Sequence, residues 1–155
     1  MQTFLMVASH HLGALAALHG RREVFFPPSM LVRAVVENCS HAIWVLGDDP
    51  SEPSENRLTR AYLEDLLSAE EAKKNAGRMG NKQSQSYVEA KAEYEGIKAE
   101  ILARFEGATA DNLGVRTLSG QTLPALEAGV VAMYELFHRK FGSSIDARRA
   151  QGTAA

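Results

Sequence analysis

The chain has 155 residues, of which 45% are hydrophobic and 23% charged, and a formal net charge of -2. That length reads as one domain with a core that needs no disulfide or metal to hold it, and the composition is that of an ordinary soluble globular protein. The slight acidity gives no bulk attraction to nucleic acid, so duplex DNA is not an expected partner.

The first helix covers Gln2 to His19 and stops at Gly20, with Phe4, Leu5, Ala8, Leu12, Leu15 and Leu18 recurring at helical spacing as a core-facing stripe. His11 falls at the edge of that stripe and His10 further round. This mildly apolar start lacks a basic leader and carries two histidines, so it reads as a helix rather than a signal peptide, and no run reaches membrane-spanning length. A cytoplasmic protein without a membrane partner is expected. Arg21, Arg22 and Glu23 make a polar link, after which Val24, Phe25 and Phe26 are expected to pack as a plug beneath the next helix.

That next helix, Pro27 to Leu46, is the centre of the chain. Prolines suit its first turn and Gly47 its left-handed stop. Leu31, Val35, Asn38, Ala42 and Val45 make one face, and Val32, Val36, Cys39, Ile43 and Leu46 an adjoining one. A helix so apolar is expected to be covered on most sides. Cys39, the only cysteine, is expected to be a small buried hydrophobe, which excludes a disulfide and a cysteine metal cluster.

Asp48 to Pro53 forms a turn, and Ser51 or Ser54 is placed to cap a third helix running to about Asn75, with an exposed Glu70 and Lys74 pair. Arg57 and Arg60 near its start read either as a solvated face or as an anion-binding pair. Met79 to Ser84 is a joint, and the fourth helix takes Gln85 to Glu106 before Gly107. Ala108 to Gln121 shows no sustained period and reads as a long surface loop, with no strand pattern anywhere. Thr122 and Pro124 open a fifth helix in which Leu126, Val130, Met133, Phe137 and Phe141 repeat, and Gly142 stops it. Tyr62, Tyr87, Tyr94 and Tyr134 sit at core spacing and read as packing residues. The expectation is thus an all-α, up-and-down bundle of about five helices over residues 1–142, with a flexible C-terminal tail over 143–155.

One stripe of the central helix is ionisable. Arg33, Glu37 and His41 follow at i, i+4 and i+8, so their side chains rise along one side. As catalytic candidates, His41 would move a proton, Glu37 would set its protonation and Arg33 would grip an anion such as phosphate. The alternative is an intrahelical Arg33–Glu37 ion pair at a packed interface, with His41 merely adjacent. A metal site is a further alternative: Glu135 and His138 have the Glu-x-x-His spacing of di-iron bundles, and Glu37 with His41 shares a helix face one residue wider. That set is incomplete, and no cofactor is expected.

The run Leu-Val-Arg-Ala-Val-Val-Glu-Asn at Leu31 to Asn38, the aromatic Trp44 and the proline-containing loop into an alanine- and leucine-rich helix resemble uncharacterised helical bacterial proteins related to the HEPN superfamily. The likeness covers roughly residues 27–75. It implies an all-helical, often dimeric domain, in a superfamily with many ribonucleases of toxin or antiviral systems. Their signature is an Arg followed after four to six residues by a His, whereas seven residues separate Arg33 from His41. The expected function is a HEPN-like, self-associating module, homodimeric and binding RNA or a protein partner in a defence or regulatory system, without an intact ribonuclease motif. A metal-dependent or small-molecule bundle enzyme and a purely structural interaction domain are the alternatives.

Overall fold

The structure is a computed structural model that describes residues 2–21, 28–47 and 49–152. It is all-α as expected, with six helices among the described residues and one two-residue hairpin. No described helix is long and apolar enough to cross a membrane. The chain folds as two compact units, one of Met1–Asp48 with Pro124–Ala155 and the other of Asp49–Leu123. Length and composition carry no sign of that division.

The first unit holds α1 (Gln2–Arg21), α2 (Pro28–Leu46) and α6 (Leu126–Gly152). α2 packs against both of the others. Its contact residues are small: Ser40, Ala42 and Val45 are buried, as is Ala8 on α1. Gly129 belongs to the same set, since a Cβ there would sit 3.9 Å from Ser40 Oγ and 3.7 Å from Pro124 Cγ. Polar groups on α2 are satisfied within the helix, where Asn38 Nδ2 donates to the Ala34 carbonyl and Ser40 Oγ to that of Glu37, both at 2.8 Å. Gly47 ends α2 with a left-handed φ of 72° and an N–H bonded to the Ile43 carbonyl at 2.9 Å.

Two expectations for this unit are corrected and one is met. On α1 the covered side is Phe4, Val7, Ala8, His11, Leu15 and Leu18, which leaves Leu5 and Leu12 exposed. α2 is covered round its middle as expected, no residue from Ala34 to Val45 being exposed, while Met30, Val32 and Leu46 nearer its ends are open. α6 begins at Leu126 and does not stop at Gly142, continuing to Gly152 through the stretch expected to be a tail. Gly142 lies inside that helix, buried, without the positive φ of Gly47. The plug of Val24, Phe25 and Phe26 and the expected start at Pro27 lie outside the described residues.

The second unit holds α3 (Ser54–Met79) and α4 (Gln85–Arg104), packed together, with α5 (Ala110–Gly114) and the hairpin of β1 (Thr117–Leu118) and β2 (Gln121–Thr122). Ser84 caps α4, its hydroxyl accepting from the Tyr87 N–H at 3.3 Å. α3 is preceded by Pro53 and has no side-chain cap. Leu63, Leu66, Ala69, Ile101 and Phe105 form the centre of the core. Leu113, Leu118 and Leu123 are buried too, which corrects the reading of Ala108 to Gln121 as a surface loop.

The hairpin exists because its two central residues adopt left-handed backbone, Ser119 at φ 46° and Gly120 at φ 76°. That pair gives the primed turn whose twist matches antiparallel strands, with Thr117 opposite Thr122 and Leu118 opposite Gln121. Leu123 N–H closes it on the Arg116 carbonyl at 3.0 Å. Alternation along so short a ladder turns Leu118 onto α3.

Candidate functional site

α2 places the ionisable stripe. Arg33 and Glu37 stand one turn apart, and Arg33 Nε donates to Glu37 Oε1 at 2.6 Å. The hydrogen bond and the charge of Glu37 hold the Arg33 guanidinium above its already high ordinary value. The Arg33 side chain is 69% exposed, so water screens the pair and the bridge adds little to stability. The ion pair read from the sequence is therefore present, as a rim feature rather than a buried one.

The pair borders a groove of about 380 Å³ between α2 and α6. Val36, Leu126, Val130 and Val131 supply apolar walls, and Arg33, Glu37 and Glu127 supply one cation and two carboxylates. His41, one turn beyond Glu37, does not line it. Its ring stacks on Phe4 of α1, with centroids 5.4 Å apart and planes 14° from parallel. The structure thus joins Arg33 and Glu37 at a mostly apolar groove and places His41 against a different neighbour.

Glu135 and His138 are both exposed on α6. The His138 ring lies over Gly142, where an added Cβ would be 2.7 Å from its Nδ1. Among the described residues no three His, Cys, Asp or Glu side chains gather closely enough to hold a metal ion, so Glu37, His41, Glu135 and His138 do not converge.

Two polar constellations in the second unit were not singled out by sequence reasoning. Arg60 is buried and its Nη2 donates to Glu52, which also accepts from Asn56 Nδ2 at 3.2 Å. These donors, Arg60 first, hold the Glu52 carboxyl below the usual glutamate range. Among the buried side-chain nitrogens and oxygens of the described residues, Arg60 Nε alone has no hydrogen-bond partner. This corrects the solvated-face alternative for Arg60. The second constellation joins α3 to α4: the Tyr62 hydroxyl donates to Glu100, and the Arg104 guanidinium lies over the Tyr62 ring at 5.6 Å. The bond to Glu100 pushes the Tyr62 phenol up, because ionisation would set two negative oxygens together.

Neither constellation sets a nucleophile beside a base that a third group orients. Arg60 is ion-paired with Glu52, and Tyr62 packs edge-on against Phe105 at 5.4 Å. A second groove of about 330 Å³ between α3 and α4 carries Asp65 and Glu93 beside Ala69, Ala72 and Ile97. Burial pushes the Asp65 carboxyl up, and the nearby Glu64 and Glu100 add to it.

What stands out instead is surface that is apolar and open. On α6, Tyr134 is 57%, Phe137 51% and Phe141 49% exposed, although all three have core-like spacing in the sequence. Phe137 and Phe141 pack on each other, with centroids 5.0 Å apart. No family model, curated protein or solved structure matches the chain.

Proposed function

We propose that the chain is a self-associating helical interaction module whose first unit forms the association surface. The open aromatic face of α6 carries this reading. Tyr134, Phe137 and Phe141 are rigid and large, aromatic types enriched at protein interfaces, and their exposure on a helix is costly in an isolated chain. A catalytic reading has weaker support: Arg33 is engaged by Glu37, and the His41 ring is stacked on Phe4 and does not line the groove. This keeps the self-associating part of the HEPN resemblance and leaves out its ribonuclease chemistry.

Sedimentation and light scattering across a concentration series test the proposal. The wild-type chain is expected to be dimeric and Phe137→Glu monomeric with unchanged helix content. A wild-type monomer at high concentration would defeat the proposal. RNA cleavage gives an independent check: any activity of the preparation should be indifferent to Arg33→Ala and His41→Ala, and its loss in both variants would restore the catalytic reading.

A further inference from the structure

We infer that the occupant of the α6 face is a second copy laid antiparallel about a two-fold axis near Tyr134, with the partner's Phe141 seated in the groove between α2 and α6. The inference rests on the self-association reading and specifies its geometry. A helix of 3.6 residues per turn sets Glu127, Val130, Val131, Phe137 and Phe141 all within roughly 60° of the Tyr134 direction. The groove wall and the exposed rings therefore share one face of α6. The wall belongs to the N-terminal part of that face, at Leu126, Val130 and Val131, and the rings to its later turns.

A hole at one end and knobs at the other decide the orientation. In an antiparallel pair centred on Tyr134, Phe141 lies level with the partner's Glu127, and Phe137 with the partner's Val131. Each copy then fills the other's groove, as an isologous two-fold interface requires. A parallel pair would set rings on rings and leave both grooves open. The fit in size is generous, since a cavity of roughly 150 Å³ suffices for a benzene ring and the groove offers about 380 Å³.

Charge agrees with the orientation. Glu127 borders the groove, and antiparallel pairing sets the two copies' Glu127 carboxylates about 21 Å apart along the axis, each beside an uncharged ring. Parallel pairing would place Glu127 against the partner's Glu127. The rings supply part of the area a two-fold interface needs. The three half-exposed rings offer about 300 Å², against roughly 800 Å² per partner in a standard interface. Met30, 65% exposed and one turn before Arg33 on the same side of α2, extends the apolar area beyond α6.

Thiol cross-linking in a Cys39→Ser background tests the geometry. Glu127→Cys and His138→Cys single variants are prepared separately, mixed and treated with a short bis-maleimide reaching about 10 Å, close to the spacing of packed helices. Antiparallel pairing is expected to give the mixed 127–138 dimer, because those positions lie within about one turn of each other along the axis. Each variant alone should then give little product, its two sites being about 12–21 Å apart along the axis. In parallel, Phe141→Ala is expected to raise the dimer dissociation constant at least tenfold, while Met79→Ala in the other unit leaves it unchanged. Self-cross-linking of each variant without the mixed product overturns the antiparallel pairing. No cross-link from a chain that still sediments as a dimer overturns the α6 interface and leaves self-association standing. A wild-type monomer overturns both.

Discussion

Leu118→Ala measures whether residues 108–123 are core or loop. Leu118 is 1% exposed, on a two-residue strand against α3. The substitution removes three carbons from a closed site. At about 0.8 kcal/mol for each buried methylene the transfer loss is roughly 2.4 kcal/mol, and the space left behind brings the expected total to about 3 kcal/mol. The matched control is Val115→Ala, three residues earlier and 70% exposed, for which at most about 0.5 kcal/mol is expected. Urea titration followed by far-ultraviolet circular dichroism separates the two. With a slope of about 2 kcal/mol per molar, the Leu118→Ala midpoint should fall by about 1.5 M and the control should hardly move. Equal midpoints for the two variants would refute the packed hairpin and restore a solvated loop.

The two glycines that end or continue helices should respond with opposite signs. Gly47→Ala, at φ 72°, is expected to cost about 1 kcal/mol. Gly142→Ala, inside α6, is expected to gain roughly 0.5 kcal/mol once the exposed His138 ring turns aside. A loss of stability in Gly142→Ala would instead mark Gly142 as a helix end. Acid should weaken the second unit through Glu52 and through Glu70, which Lys74 and then Arg116 hold low. A carboxylate with a depressed folded pKa contributes stability above its unfolded pKa, and that contribution is lost as pH falls through the folded value. Urea midpoints are thus expected to drop between about pH 5 and pH 2. Glu52→Gln should be less stable at neutral pH and show a shallower fall, and an acid limb identical to wild type would argue against the Arg60 pairing.

The parts legible in the sequence were those that local chemistry decides. α4 begins at Gln85, where its spacing places it, because a helix start depends on a few adjacent residues, here the Ser84 cap. The Arg33–Glu37 and Glu70–Lys74 pairs form because residues four apart meet on any helix. The Ser119–Gly120 turn was also local, yet strands of two residues are too short to show a period. Arg60 was misplaced because its partner Glu52 stands outside the helix, across the Pro53 turn. His41 stacking on Phe4 joins residues far apart in the chain, which spacing on one helix cannot report.

Residue order by itself determined that the chain is helical and which charges can pair along its helices. Only tertiary packing decided which apolar stripes are covered. Period gives the direction of a helix face but not what lies against it, so Phe105 and Phe137, both at core spacing, ended differently: the first buried among α3 and α4 residues, the second open on α6. The division into two units and the open aromatic face both follow from that choice of neighbours.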